Sequence, residues 1–177
     1  MGYRCSLCEA EYDLDEITYV CPVDGGNLDV RLDYEIIKKE TSPETILASQ
    51  EESLWRYLPL LPVSDPGEAG TPLRVVGWTP TFAPSLLRAQ LGLAQLWVKD
   101  ESRNPTASFK DRASAIVVAR AREIGAEVVV TASTGNAGAA LAGMAAAVGQ
   151  KAVIFAPRTA PPAKVAQLLV YGCLLYT

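Results

Sequence analysis

The chain has 177 residues, of which 49% are hydrophobic, so it can bury a core and holds one ordinary domain, or a small domain beside a modest one. Its net charge of −4 argues against nucleic acid as the main partner, and no apolar run reaches the roughly 18 residues needed to span a membrane. The first residues lack the basic and apolar regions of a signal peptide, which predicts a cytoplasmic protein. Because the chain contains no histidine, chemistry that depends on a histidine base or a histidine-bound metal is excluded.

Three of the four cysteines lie in the first 30 residues. Cys5 and Cys8 form a Cys-x2-Cys pair, and Cys21 and Asp24 repeat this spacing further along. The pattern is typical of a zinc ribbon, so residues 1–30 are predicted to form a zinc-ribbon-like segment with these four residues as candidate zinc ligands. Most structural zinc sites use four cysteines, or three with a histidine, so a degenerate ribbon that folds without metal remains the alternative.

The middle of the chain, residues 31–70, is interpreted as a linker with short helices. Ser42 is predicted to cap a helix that starts at Pro43, and two prolines within the stretch 58–62 end helical structure. From residue 71 onwards, apolar strands alternate with alanine-rich helices, so residues 71–177 are predicted to form an α/β domain.

Periodicity and helix-stop residues place the elements of this domain. The predicted strands cover residues 94–100, 126–132, 151–156 and 173–177. The predicted helices cover residues 84–92, 108–124, 136–148 and 160–172. The alternation predicts a parallel sheet with flanking helices joined by right-handed crossovers, and the apolar strands predict that both faces of the sheet are covered.

Ser133, Thr134 and Gly135 form a turn between a predicted strand and the next helix. The free backbone N–H groups and the helix dipole at such a turn favour an anionic ligand, and Asn136 is placed to hold its amide over that ligand. An ordinary capped helix start explains the same residues equally well. The turn is not a Gly-x-Gly-x-x-Gly motif, and no acidic residue ends the following strand, which disfavours a nicotinamide dinucleotide.

Lys110 lies in the first turn of the predicted helix 108–124, beside the apolar side chain of Phe109. A cation there opposes the helix dipole, and a lysine in such a position is typical of an activated amine. On physical grounds alone, a solvated surface lysine is the stronger alternative. Asp111 and Arg112 are expected to cap the turn or to pair within the helix, rather than to contact a substrate.

Four segments together resemble the threonine synthase family of pyridoxal-phosphate enzymes, which have the fold called type II. They are DESRNPTASFKDRASA, TASTGNAGAALAG, GWTP and APPAKVAQLLVYG, and the combination of SFKDR with STGN is highly specific. The resemblance implies that Lys110 binds the cofactor covalently, and that Phe109 and Asn136 contact it. It also implies a turn that receives the substrate carboxylate, formed by Ser133, Thr134, Gly135 and Ala137. The triplet DES at 100–102 departs from the family's Asp-Asp-Gly or Asp-Glu-Gly, and no functional consequence is attached to it.

The activity implied by the resemblance is the conversion of O-phosphohomoserine and water into threonine and phosphate, and a homo-oligomer is compatible with it. The resemblance further implies a glycine-rich loop for the cofactor phosphate and a serine or threonine facing the pyridine nitrogen, both beyond residue 177. The chain is therefore expected to be the N-terminal part of the enzyme and inactive alone. Two alternatives stay open: another type II lyase, such as threonine or serine dehydratase or cysteate synthase, and a non-catalytic zinc-ribbon interaction module on a relic pyridoxal-phosphate domain.

Overall fold

A computed structural model describes residues 1–16, 19–67 and 69–177. These residues form two compact units. None of the helices in the described part of the chain has the length and the apolar character that crossing a membrane requires. The division of the chain into three segments, expected from its sequence, stays a prediction.

The N-terminal unit consists of Met1–Ser49 and Tyr57–Pro62. It contains a three-stranded antiparallel sheet in which the first strand lies in the middle. The strands are β1 (Gly2–Cys5), β2 (Glu11–Tyr12) and β3 (Leu28–Arg31). Two helices follow them, α1 (Tyr34–Glu40) and α2 (Pro43–Ala48).

Both helices of this unit begin at a side-chain cap. The Asp33 carboxylate accepts hydrogen bonds from the backbone N–H groups of Glu35 and Ile36 at the start of α1. Ser42 caps α2 with Pro43 at the first helical position, which confirms the prediction. The Ser42 N–H donates in return to the Thr45 hydroxyl at 2.8 Å, so a threonine completes the capping box in place of glutamate or glutamine.

The second unit consists of Gln50–Arg56 and Val63–Thr177. Trp55 packs the segment Gln50–Arg56 against the rest of this unit. It is only 3% exposed and donates from Nε1 to the Leu73 carbonyl at 3.1 Å. Leu73 itself is fully buried. An aromatic side chain with a satisfied N–H therefore anchors residues 50–56 to this unit.

The described residues of the second unit contain five strands and four helices, with a short 3-10 turn at Glu101–Arg103. In chain order they are β4 (Thr81–Phe82), α3 (Ser85–Gln90), β5 (Val98–Lys99), α4 (Asp111–Glu123), β6 (Val128–Ala132), α5 (Asn136–Ala147), β7 (Lys151–Phe155), α6 (Pro162–Val170) and β8 (Leu174–Tyr176). Each predicted helix of the domain is present and slightly shorter than predicted.

Strands β6, β7 and β8 form a parallel sheet in that order, which confirms the predicted α/β fold with a parallel sheet. Val153 of the central strand pairs with Val130 on one side and Leu174 on the other. Helix α5 connects β6 to β7, and α6 connects β7 to β8.

The predicted strand 94–100 does not join this sheet, which corrects the expectation from the sequence. Only Val98 and Lys99 are extended, and they pair antiparallel with β4. The Lys99 ammonium donates to the Thr79 carbonyl at 2.7 Å and strengthens this pairing. An apolar run predicts a strand but not its partner, and here the partner is a two-residue strand too short to show any periodicity.

One face of the parallel sheet is bare in the described residues, although the sequence predicted helices on both faces. Successive right-handed crossovers that move in one direction across a sheet place their helices on the same face. The order β6–β7–β8 never reverses, so α5 and α6 share one face. The opposite face exposes large apolar side chains, each between 41% and 55% exposed: Val128, Val130, Phe155, Leu174 and Tyr176.

Candidate functional site

Lys110 lies at the end of a tight turn that precedes helix α4. Ala107 adopts a positive φ of 58°, and its N–H donates to the Asn104 carbonyl at 2.8 Å. The Lys110 N–H donates to the Ser108 hydroxyl oxygen at 3.1 Å, and α4 begins only at Asp111. The lysine therefore occupies the N-cap position, outside the first helical turn where the sequence placed it.

The side chains of Lys110 and Phe109 are exposed. The Lys110 ammonium lies 5.8 Å from the centre of the Phe109 ring, and the ring is 59% exposed. Within the described part of the chain, no carboxylate forms an ion pair with Lys110. Its amine is therefore accessible to a ligand.

Asp111 fixes the turn in front of the lysine. Its side chain is completely buried and accepts hydrogen bonds from both the N–H and the hydroxyl of Thr106, the former at 2.6 Å. Thr106 is only 6% exposed, so neither donor has water as an alternative partner. Asp111 therefore caps the turn, as the sequence analysis expects.

Arg112 forms a bidentate ion pair with Glu101. Its Nε donates to Glu101 Oε2 at 2.8 Å, and its Nη2 donates to Oε1 at 2.9 Å. The same carboxylate accepts from the Thr79 hydroxyl and from the Asn104 amide, each at 2.8 Å. The hydrogen bonds from Arg112 are the main reason that the pKa of Glu101 falls from 4.5 to about 2. Sequence reasoning attached no role to the DES triplet, which supplies this carboxylate.

Replacing Glu101 with glutamine is expected to lower the free energy of unfolding of the second unit by about 2 kcal/mol, because charged hydrogen bonds lose their anion. The folded-state pKa lies below the ordinary value, so the carboxylate contributes stability above pH 4.5 and loses it as the pH falls toward about 2. The two proteins should therefore converge in stability across that interval. Tryptophan fluorescence during urea unfolding measures this, since all three tryptophans lie in the second unit.

The matched control for this change is Glu127→Gln, which alters an exposed glutamate of the same unit. It should change stability by less than about 0.5 kcal/mol. A Glu101→Gln protein that matches wild type at neutral pH would show that the ion-pair network does not stabilise the unit.

The turn of residues 133–137 joins β6 to α5. The Ser133 N–H donates to the Phe155 carbonyl at 2.9 Å, so the chain stays in sheet register until it turns. Helix α5 begins at Asn136 as predicted, and its N-cap, Gly135, provides no side-chain cap. The first amides of a helix have no carbonyl partner within it, so those of Asn136 and Ala137 can bind an anion.

The carboxyl ends of the three parallel strands open onto a cleft of about 380 Å³. Ligands of open α/β sheets bind at this end of the strands. The cleft is lined by Ala132, Phe155, Ala156, Pro157, Tyr176 and Thr177. The rings of Phe155 and Tyr176 stack within it with centres 5.2 Å apart. Sequence reasoning did not single out these two rings, because no motif marks them.

Thr106 connects the lysine turn to helix α5. A Cβ atom built on Gly143 of α5 would lie 2.5 Å from the Thr106 Cγ2, so this contact requires glycine. Helix α5 carries the 133–137 turn at its N-terminus. Through this contact, the turn that precedes Lys110 packs against the helix that begins at the 133–137 turn.

The four predicted metal ligands of the N-terminal unit come together in space. The sulfur atoms of Cys5, Cys8 and Cys21 and a carboxylate oxygen of Asp24 all lie within 4.8 Å of one another. The cysteines form no disulfide. The backbone N–H of Gly26 is the main cause that lowers the pKa of Asp24 from 3.8 to about 2, so this side chain is an anion at neutral pH.

Comparison with known proteins shows the family. Residues 73–176 match the family model described as pyridoxal-phosphate dependent enzyme. Threonine synthase of Methanocaldococcus jannaschii is 44% identical over 173 residues, which cover 97% of this chain and 42% of that protein. Threonine synthase of Methanosarcina acetivorans is 39% identical over 171 residues, covering 96% of this chain and 40% of that protein.

Solved structures agree with this result. A crystal structure of O-ureido-L-serine synthase superposes with a TM-score of 0.56 at 31% identity, covering 60% of this chain and 34% of the other. The chain therefore belongs to the family of pyridoxal-phosphate dependent enzymes. Its similarity to threonine synthases confirms the resemblance seen in the motifs, although it spans only about two fifths of the length of those relatives.

Proposed function

We propose that the protein carrying this chain is a threonine synthase that converts O-phosphohomoserine and water into threonine and phosphate. The observation that carries the proposal is that two turns in the second unit are connected through the packing of Thr106 against Gly143 of α5. One presents the accessible amine of Lys110, and the other presents the open helix amides of Asn136 and Ala137. The identity of 44% and 39% to threonine synthases over nearly the whole chain supports this activity among those of the family.

The residues present fit pyridoxal phosphate. Lys110 would hold the cofactor covalently through Nζ, while Phe109 and Asn136, both exposed, would contact it. The cofactor, when bound, supplies an electron sink for the carbon atoms of an amino-acid substrate. A lysine-based centre also suits a chain without histidine.

Several further roles would fall to residues of this chain. The turn formed by Ser133, Thr134, Gly135 and Ala137 would receive the substrate carboxylate. Because the Ser133 N–H already donates to the Phe155 carbonyl, Ser133 would act through its hydroxyl, whereas Ala137 can contribute only its N–H. The Lys110 amine, once released from the cofactor, would accept and return protons at Nζ. Asp111 would not touch substrate, but would hold the turn from which Lys110 extends.

The direct test is to supply the whole protein that carries this chain with O-phosphohomoserine and pyridoxal phosphate, and to measure threonine and phosphate in equal amounts. Serine or threonine should give no keto acid, and O-phosphoserine with sulfite should give no cysteate. Formation of either product in place of threonine would move the protein to a dehydratase or to cysteate synthase. No turnover with any of these substrates would favour a non-catalytic role.

Replacing Asn136 with alanine is expected to weaken pyridoxal phosphate binding about tenfold, which corresponds to the loss of about 1.4 kcal/mol in one hydrogen bond to the cofactor ring. The visible absorbance of the bound cofactor should shift as well. Equilibrium titration followed by absorbance measures both. The exposed amide of Gln95 provides a control, since Gln95→Ala should change neither. An unchanged affinity and spectrum in Asn136→Ala would make this residue an ordinary helix start.

We also propose that the N-terminal segment 1–30 is a zinc-ribbon-like module. The convergence of Cys5, Cys8, Cys21 and Asp24 supports zinc as the ion, and metal would compensate for a small core. The cytoplasmic location and the homo-oligomeric state stay predictions.

A further inference from the structure

Two pairs of candidate ligand atoms in the N-terminal unit lie close to the separations that tetrahedral zinc requires. Zinc–sulfur bonds of about 2.3 Å and zinc–oxygen bonds of about 2.1 Å place ligand atoms about 3.6–3.8 Å apart. In the structure, the sulfur atoms of Cys8 and Cys21 are 3.6 Å apart, and Cys5 Sγ lies 3.3 Å from Asp24 Oδ1. Small adjustments of these side chains would enclose an ion.

The backbone presents the four residues in two similar turns. The Cys5 N–H donates to the Ala10 carbonyl at 2.9 Å, and the Cys21 N–H donates to the Gly26 carbonyl at 2.9 Å, five residues on in each case. Asp24 follows Cys21 at the interval at which Cys8 follows Cys5. The carboxylate of Asp24 therefore occupies, in the second turn, the position that the Cys8 sulfur has in the first.

Three of the four ligand atoms already form hydrogen bonds with the surrounding chain. The Leu7 N–H donates to Cys5 Sγ at 3.3 Å, and the Gly26 N–H donates to Asp24 Oδ1 at 2.8 Å. The Tyr12 hydroxyl lies 3.1 Å from Cys21 Sγ. Donors of this kind orient metal ligands and offset the negative charge of thiolates and carboxylates.

Gly26 is required by the same cluster. A Cβ atom at this position would lie 2.7 Å from Cys5 Sγ and 2.9 Å from Asp24 Oδ1. The backbone of Gly26 thus approaches one ligand from each turn at once. Such an approach fits two turns that close around one ion.

We infer that Asp24 binds the metal directly as the fourth ligand, and that the Tyr12 hydroxyl donates a hydrogen bond to the metal-bound sulfur of Cys21. The inference rests on the proposed zinc module and adds its coordination. Three thiolates and one carboxylate form a harder ligand set than four thiolates. The site therefore prefers zinc or cobalt over cadmium more strongly than a four-cysteine ribbon does.

The first experiment tests whether the N-terminal unit binds a metal ion at all, before the identity of its ligands is tested. The complete chain, reduced and freed of metal, is titrated with cobalt(II) without oxygen, and zinc is then added to displace it. The wild-type protein should bind one cobalt with the visible bands of tetrahedral geometry and a thiolate charge-transfer band. Absence of binding while the sheet of β1–β3 remains folded would overturn the zinc module, and the inference with it.

The second experiment tests Asp24. Asp24→Asn should weaken cobalt and zinc binding at least about tenfold, whereas Asp29→Asn, at an exposed aspartate of β3, should not. Asp24→Cys should raise the charge-transfer intensity by about one third, from three thiolates to four, and should increase cadmium affinity relative to zinc. Asp24→Cys therefore tests whether residue 24 is a metal ligand even if Asp24→Asn does not fold. Unchanged intensity in Asp24→Cys would show that position 24 lies outside the coordination sphere.

The third experiment tests Tyr12. Tyr12→Phe removes only the hydroxyl, so the tetrahedral cobalt bands should persist while metal affinity falls about tenfold and the charge-transfer band shifts in energy. Tyr3 lies opposite Tyr12 in the sheet and serves as a matched control through Tyr3→Phe. Equal affinities and spectra for wild type and Tyr12→Phe would overturn the role of this hydroxyl.

Discussion

Lys110→Ala, in the whole protein that carries this chain, is expected to abolish the covalent adduct that borohydride traps between the protein and pyridoxal phosphate. Reduction fixes the carbon–nitrogen bond between a lysine amine and the cofactor aldehyde, so removal of the reacting amine removes the adduct entirely. Peptide mass spectrometry after reduction measures the yield and the site. The adduct on wild-type protein should map to the peptide that contains Lys110.

A second lysine of the same unit controls for nonspecific labelling. Lys151 is exposed at the first residue of β7, at the end of the sheet opposite the cleft. Lys151→Ala should therefore retain the full yield of adduct. If the adduct survives in Lys110→Ala, with the cofactor still bound stoichiometrically, then another lysine carries it and the assignment is wrong.

Asp111→Ala is expected to lower the free energy of unfolding of the second unit by about 3 kcal/mol. The change leaves the N–H and the hydroxyl of Thr106 buried without an acceptor, and each unsatisfied donor costs about 1–3 kcal/mol. The turn should also loosen, so the rate at which Lys110 forms its adduct should fall. Urea unfolding followed by tryptophan fluorescence measures the stability, and timed borohydride trapping measures the rate.

A double-mutant cycle isolates the contact from other effects of the change. Thr106→Val removes the hydroxyl donor, so Asp111→Ala should cost less in that background than in wild type. Asp111→Asn keeps one acceptor oxygen and should recover part of the stability. Strict additivity of the two changes would show that the Asp111–Thr106 pair is not coupled, and that the turn is held in another way.

Local patterns were sufficient for much of the second unit. Helix α5 starts at the residue that the sequence indicated, because glycine and hydroxyl residues after an apolar strand mark such a start. Strands β6 and β7 were predicted from their continuous apolar runs. The antiparallel pair of β4 and β5 was missed, since two-residue strands have no period and their pairing is decided by contacts distant in sequence.

The same distinction between local patterns and contacts distant in sequence applies to the candidate site. Lys110 and the 133–137 turn were predicted because each belongs to a short motif. The metal cluster was found because its four ligands occur at regular intervals. The network around Glu101 was missed because Arg112 lies 11 residues away and Thr79 lies 22 residues away, beyond any rule of local spacing.

The contact between Gly143 and Thr106 limits which substitutions can be accepted at these two positions during evolution. Any side chain at position 143 would force α5 away from Thr106, and with it the turn at the start of the helix would shift relative to Lys110. Glycine has only a hydrogen atom in place of a side chain, and this small size at position 143 permits the observed spacing between two parts of the candidate site that lie far apart along the chain. An inherited substitution at position 143 would therefore have to be matched by a smaller residue at position 106.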